Sequence, residues 1–290
     1  MDNIIGLGKC GCRISKEFSK YSQYQVYGID SEAQDLENFI KIGKRASHEE
    51  YEEKFPATRV KKFLSKIGKD ILVVIGGSGA ISGASLRLLD LLRDKEVSIL
   101  YIRPDVELLS YNKAMQERLV FSVLQEYARS NIIKRVYLVD NLKLEEILGS
   151  VPLANYYDSL NSLLVYTFHM MNVLRHSEPL INTFSEPIAT ANIATIGIVD
   201  LETAKEKSFF DLEHPRDSMY YYAVNNDSLQ SDGDLFKNIR QQIRDKNKQS
   251  EKNICSYGIF PTNYDDNYVY FEKFATLVQG QIILDQSLNS

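Results

Sequence analysis

Hydrophobic positions in the first half of the chain fall in short, nearly unbroken blocks. Asn3-Ile-Ile5, Tyr24–Ile29, Ile71–Ile75, Val97–Ile102 and Arg135–Val139 are rich in branched and long apolar residues. Runs of that kind suit strands buried on both faces, as in a parallel sheet. Between them the spacing of apolar residues turns helical. Helices are predicted from the first glycines to about Tyr21, over Ala84–Leu92 and from about Leu108 to Arg129, with a short one over Ala33–Ile40. His48–Lys66 is charged and amphipathic and breaks near Pro56, and its run Glu49–Glu53 reads as a solvated helix face. Leu153–Arg175 is the longest helical pattern. Its Leu160, Leu163, Leu164, Val165, Phe168, Met171 and Leu174 occupy most of the circumference, which predicts burial. His169 and His176 near its end read as packing or capping residues.

The pattern changes after Ser177. Pro179 and Pro187 bracket a loop, and strand-like runs follow at Ile193–Val199, Met219–Val224, Asn253–Phe260, Tyr268–Phe274 and Gln279–Leu284. One helix, about Gly233–Arg244, and a polar linker, Asp245–Lys252, sit among them. The predicted fold is α/β: a parallel, Rossmann-like sheet, a long central helix, then a smaller α+β mixed-sheet domain. The expected division is a parallel-sheet domain over 1–152, a connecting helix over 153–176 and an α+β domain over 177–290.

Composition narrows the function. The 290 residues carry a net charge of -5, so there is no electrostatic case for sequence-independent nucleic-acid binding. No apolar run is long enough to span a bilayer and there is no signal peptide, so no membrane partner and a cytoplasmic location are expected. Cys10, Cys12 and Cys255 do not make a disulfide framework, which suits a reducing compartment.

Two glycine motifs carry the chemistry. After the block Ile71–Ile75 come Gly76, Gly77, Gly79 and Gly83, with Ser78 and Ser82 between them, and then a helix. Strand, glycine loop and helix start is the geometry that binds an anion, because backbone N–H groups and the helix pole face it. An ordinary strand-to-helix turn needs fewer glycines. The second motif, Gly6-Leu-Gly-Lys-Cys-Gly11, fits G-x-G-x-x-G, and the next strand ends at Asp30, where a dinucleotide fold binds ribose. An NAD-dependent oxidoreductase is therefore a competing reading. Cys10-Gly-Cys12 lacks the further ligands of a zinc site, so no metal site is assigned and the thiols read as packing.

Taken together, these stretches resemble the tubulin/FtsZ superfamily. Gly6–Arg13 looks like its first nucleotide loop, Asp30-Ser-Glu-Ala-Gln-Asp-Leu36 like its "NTDAQAL" segment, and Gly77–Ala84 stands where "GGGTGTGA" belongs. Arg103-Pro104 resembles the sugar-side segment. Val139–Leu144 is similar to "IPNDKLL", and Tyr157–Leu164 to "YTNLNRLI" at the start of the central helix. The length resembles the compact phage and plasmid members of the TubZ and PhuZ type. The resemblance implies GTP/GDP as the bound nucleotide, with Mg²⁺. It places Gly8, Lys9, Cys10 and Gly11 on one side of the phosphates, and Gly77, Ser78, Gly79, Ala80, Ile81 and Ser82 on the other. Tyr157 would stack on guanine, and Asn141 and Asn161 would bond its edge. The partner it implies is a second copy of the chain, in head-to-tail filaments; a phage adaptor or DNA-partition partner is left open.

Departures bear on hydrolysis. Ala80 and Ile81 replace the signature Thr and Gly. Lys41–Phe55 is shorter than the corresponding segment and lacks its glycine-rich γ-phosphate loop. In Leu180-Ile-Asn-Thr-Phe-Ser-Glu-Pro187, Phe184 and Pro187 stand at the usual acidic positions. The expectation is a slow, assembly-dependent GTPase with Glu186 as the catalytic acid and Asn182 assisting. The alternative is a degenerate tubulin-like protein that binds nucleotide or a partner without hydrolysis.

Overall fold

A computed structural model describes residues 1–201, 203–249 and 253–280. Its contacts gather into two units, Met1–Val165 and Tyr166–Ser290.

The first unit alternates strand and helix. In chain order it contains β1 (Asn3–Leu7), α1 (Gly8–Phe18), β2 (Gln25–Asp30), β3 (Asn38–Lys41), α2 (His48–Glu53), α3 (Ala57–Phe63) and β4 (Asp70–Gly76). A 3-10 turn, Ala80–Ala84, leads into α4 (Ser85–Leu91). Then come β5 (Glu96–Arg103), α5 (Tyr111–Arg129), β6 (Arg135–Asp140), α6 (Asn141–Leu148) and the start of α7 (Tyr156–Arg175). The strands lie in the order β3-β2-β1-β4-β5-β6, all parallel. The apolar blocks are the sheet's interior: Ile4, Ile5 and the whole of Ile71–Ile75 are inaccessible to solvent. From β1 the chain goes to β2 on one side, and β4 lies on the other. The sheet order reverses there, and the crevice beyond the carboxyl ends of β1 and β4 is where open α/β sheets bind ligands.

Two elements differ from the sequence reading. No helix forms over Ala33–Ile40: the chain is irregular to Glu37 and then enters β3, a short edge strand beside Tyr27–Asp30. Leu36 and Phe39 pack over Gly28 on β2, so pairing and burial override helical spacing. Helix α6 was not expected. It starts directly from β6, where the Asp140 carboxylate caps it by accepting from the Leu142 N–H at 2.9 Å.

The second unit contains the rest of α7, β7 (Ile181–Asn182), β8 (Ile193–Val199), β9 (Glu206–Ser208), β10 (Asp217–Asn225), α8 (Asn226–Ser231), α9 (Leu235–Gln249), β11 (Ile254–Thr262) and β12 (Tyr268–Ala275). Its strands run β8-β12-β10-β11-β7, with β9 on the other side of β8. Only the pair β10 and β11, joined through α8 and α9, is parallel among these described strands. Ile239 and Ile243 of α9 are buried with Tyr220, Tyr222, Ile259 and Phe271 of the sheet. The mixed sheet is the predicted one, and β8 has its predicted bounds. Asp245–Gln249 is not linker but the last turn of α9, and Ser250–Lys252 lie outside the described residues. Gln279 and Gly280 form a turn rather than a strand. The buried Gln279 carboxamide accepts from the Glu213 N–H at 2.6 Å and donates to the Leu277 carbonyl at 2.7 Å. The remainder of that predicted strand, 281–284, lies outside the described residues. On α7, His169 is buried and His176 Nδ1 sits 2.7 Å from the Asn172 carbonyl, so both take packing and capping places.

Candidate functional site

Both glycine motifs end strands at the switch point and start helical turns. Helix α1 begins at Gly8 from an extended Leu7, without a side-chain cap and with no acidic residue in its first turn. The 3-10 turn after β4 begins at Ala80 from an extended Gly79, again uncapped and without an acid. Helices α2, α6 and α8 are capped by Ser47, Asp140 and Asn225, whereas α3 and α5, away from these loops in the sequence, also start without a side-chain cap. Two uncapped helical starts side by side present unsatisfied N–H groups and two positive poles, a surface suited to a polyanion.

The loops are in contact. Gly8 has a φ of 74°, and a Cβ built on it would lie 2.4 Å from the Ile81 side chain. Cys10 packs against Gly76 in the same way. A Cβ on Gly11 would meet the Val74 carbonyl at 2.4 Å, so glycine here lets α1 lie directly on β4. Gly79 is different: its nearest contact would be Ile81 at 3.7 Å, and its backbone is extended. Packing of the chain does not account for a glycine at that position. Lys9 and Ser78 are exposed, Ala80 is half-buried and Ile81 buried. Gly77 is held under Tyr101. Ser82 points inward: its amide and its hydroxyl both donate to the Gly79 carbonyl, at 2.9 Å and 2.7 Å. Of the residues expected to face a ligand, Ser82 instead builds the loop, and the Gly77 N–H is given to the Ile102 carbonyl at 3.0 Å.

Burial pushes the Cys10 thiol up to about 11, with Arg13 pulling the other way. It pushes Cys12 up to about 12, helped by Asp30 and opposed by a hydrogen bond to the Ile29 backbone. Both are packed thiols at neutral pH, and Cys12 Sγ donates to the Gly6 carbonyl at 3.4 Å. Among the described residues no group of three His, Cys, Asp or Glu is placed to hold a metal. Asp30 is buried. Its two oxygens accept from the Ser31 N–H and the Gln34 amide, both at 2.6 Å, so it builds the turn after β2 and is not presented to a ribose.

Beside the first loop, α1 and the start of α7 flank a cavity of about 420 Å³. Tyr157 and Asn161 line it from α7, and Arg13, Lys16 and Glu17 from α1. Tyr157 is 57% exposed, its ring edge-on to Tyr156 at 5.1 Å. Lys16 is paired with Asp35. Glu17 is paired with Lys20 and accepts from Ser162 Oγ at 3.3 Å. The sequence reading missed Arg13, Lys16 and Glu17. Their signal was the polar face of α1, opposite the buried Cys12, Ile14, Ser15 and Phe18. Asn141, half-buried in the first turn of α6, is not among the residues lining this cavity. On α5, facing Tyr101 and Arg103 of β5, burial raises the Glu117 carboxyl, against the pull of the Tyr101 hydroxyl, which donates to it at 3.0 Å, and of Arg103. Burial likewise raises Asp140, with the Leu142 N–H opposing.

In the second unit, the segment after α7 is fastened to the sheet edge. Asn182 pairs with Gly258, and the Thr183 N–H donates to the Tyr257 carbonyl at 2.8 Å. Phe184 is seated on Gly258, with its ring 5.0 Å from Tyr221 and 6.3 Å from Phe260. That aromatic anchor leaves Asn182 and Glu186 exposed on the same short stretch.

No protein-family model and no curated relative matches this sequence. Solved structures do match in fold. A GTPγS-form protofilament of TubZ from Bacillus thuringiensis serovar israelensis aligns with a TM-score of 0.76 at 16% identity, over 99% of this chain and 90% of that one. CetZ from Methanosaeta thermophila aligns at 0.73 and 14% identity, over 98% and 89%. An empty FtsZ dimer from M. jannaschii aligns at 0.65 and 13%, over 94% and 87%. The chain has the tubulin/FtsZ fold, as the resemblance in its sequence implies.

Proposed function

We propose that this chain is a tubulin/FtsZ-like cytoskeletal protein that binds a guanine nucleotide and assembles head to tail into filaments, with slow GTP hydrolysis between subunits. One observation supports it above the others: two uncapped helical starts converge at the sheet's switch point, and the helix that begins at one of them goes on to wall a cavity edged by an exposed tyrosine and an asparagine. The phosphates would lie against the N–H groups of Gly8–Gly11 and Ser78–Ile81, the Gly77 N–H being given to the Ile102 carbonyl at 3.0 Å. Tyr157 offers a stacking face, and Asn161 a donor and an acceptor to the base edge. Arg13 suits the O6/N7 edge of guanine, and adenine's amino group would repel it. Mg²⁺ would be held mainly by phosphate oxygens and water, as it is when no carboxylate cage exists. Supports for self-assembly are the shared fold and the TubZ protofilament among its likenesses. A head-to-tail contact propagates unless it closes into a ring. In such a filament the exposed Glu186 is the acid available on its loop to draw a proton from an attacking water, with Asn182 orienting that water.

A second reading has its own support. Phe184 stands at an acidic position and is locked in aromatic packing, and Ile81 fills the space between the loops. A non-hydrolysing, nucleotide-binding scaffold accommodates both features. Nucleotide released from the denatured protein, affinity for GTP against ATP, and negative-stain images with and without GTP test these readings. Equal affinity for the two nucleotides overturns the guanine assignment. Filaments with no phosphate release favour the second reading.

A further inference from the structure

Three polar atoms close on the Gly79 carbonyl. Two belong to Ser82, the amide at 2.9 Å and the hydroxyl at 2.7 Å; the third is His48 Nε2 at 3.0 Å. His48 Nε2 is also 3.0 Å from the Ser82 hydroxyl oxygen. It reaches the loop from α2, far away in sequence. A carbonyl only accepts, so with the Ser82 hydroxyl proton given to the Gly79 oxygen, His48 bonds that oxygen in the tautomer that carries its proton on Nε2. The contact extends to the backbone: a Cβ on Gly83 would lie 2.4 Å from the His48 carbonyl, so α2 rests directly on the loop.

The peptide unit is planar and trans, so its C=O and N–H point in opposite directions. Fixing the Gly79 carbonyl towards His48 and Ser82 therefore fixes the Ala80 N–H the opposite way. Ala80 is the first residue of an uncapped helical turn. We infer that His48 is a positioning residue for anion binding: through the Gly79 carbonyl it holds the Gly79–Ala80 peptide with its N–H presented to a phosphate. This rests on the reading of the two loops as a phosphate site. It assigns to α2 a role in a segment where the sequence showed only a charged amphipathic stretch.

The test compares the full chain with His48→Ala and His48→Gln, whose amide nitrogen falls near the place of Nε2. Three quantities are read: GTP affinity, guanosine affinity by competition, and amide hydrogen exchange of 79–84 without nucleotide. His48→Ala is expected to weaken GTP about tenfold, the scale of one hydrogen bond to a charged group, and to leave guanosine unchanged. It is also expected to speed exchange across 79–84. His48→Gln should restore both to within about threefold of the parent. Parental GTP affinity in His48→Ala overturns the inference. So does an equal loss for GTP and guanosine, or a failure of His48→Gln to restore what His48→Ala loses. If the parent itself binds no GTP, the phosphate reading falls, and the exchange data still show whether His48 holds the loop. Should His48→Ala not fold, His48→Asn, whose amide stops short of the carbonyl, gives the same comparison.

Discussion

Gly79 and Gly11 sit in the two loops under opposite constraints, and a side chain separates them. Valine at Gly79 meets only an ordinary contact, Ile81 at 3.7 Å, on an extended backbone, which β-branched residues favour. Gly79→Val should keep the parental circular dichroism and melting temperature and lose GTP binding; parental affinity would mean that the loop is only structural. Gly11→Ala sets a methyl 2.4 Å from the Val74 carbonyl, and should destabilise the fold by about 1–3 kcal/mol or more, read as a lower urea midpoint. Asn161→Ala removes a base contact from the cavity wall without touching the phosphates. It should weaken GTP by about 1–3 kcal/mol, measured by titration calorimetry, and leave the melting temperature within a few degrees. The glycines announce themselves by spacing, whereas Tyr157 and Asn161 were singled out only through the resemblance of Tyr157–Leu164 to a tubulin segment, and both line one cavity. His48 was not readable. Its meaning is a contact with Gly79 and Ser82 across intervening strand and helix, and nothing in Ser47-His-Glu-Glu50 predicts it. Ser82 misled for a related reason. Its type and place suit a ligand, but its hydroxyl is turned inward to build the loop.

Elements were legible where one force dominates. The solid apolar blocks β1, β4, β5 and β6 sit in a fully buried sheet, and α7 could be only a helix. Short elements stabilised by neighbours were not legible. Two-residue β7 exists because Leu180 and Thr183 donate to the edge of β11. β3 competes with a helical pattern and wins by pairing with β2. Three-residue β9 is similar, and its Glu206 has a consequence for stability. Burial raises its carboxyl, but Lys273, Lys246 and the Tyr220 hydroxyl outweigh burial and bring it down to about 2, from 4.5 when exposed. A carboxyl that titrates near 2 when folded and 4.5 when unfolded stabilises the fold at every pH above about 4.5. As pH falls from there towards 2, that stabilisation is lost. Urea midpoints measured from pH 6 to pH 3 should therefore drop, and Glu206→Gln should flatten part of the drop. At pH 7 the same substitution leaves two largely covered lysines without their carboxylate and should cost about 3 kcal/mol. A Glu206→Gln variant with the parental pH profile would show that the lysine cluster is not what stabilises β9.

At the scale of the whole molecule, the sites read from the sequence divide between the two units, so the proposed catalysis would be a property of the assembly. The residues proposed for phosphate and base lie in Met1–Val165; Asn182 and Glu186 lie in Tyr166–Ser290. In the proposed filament, whose head-to-tail contact repeats from subunit to subunit, each nucleotide would be completed by the next subunit's segment after α7. Phe184 keeps that segment in place through Tyr221 and Phe260, so removal of the Glu186 carboxylate, which is exposed, should not disturb the anchor. Glu186→Ala is accordingly expected to bind GTP as the parent does and to form filaments at the same concentration. A general base contributes about 10²–10⁴-fold to rate, so phosphate release per subunit should fall by about that much, as a loss in kcat rather than in affinity. Filaments that disassemble after hydrolysis should then persist, which light scattering after a GTP pulse would record. Mixing provides the decisive arm. Gly79→Val subunits, which carry Glu186 but should bind no nucleotide, can present their acid to GTP held by Glu186→Ala subunits. Phosphate release should rise in the mixture above that of either variant alone. No rise, with co-assembly confirmed by labelled subunits, would mean that Glu186 does not act on a neighbour's nucleotide.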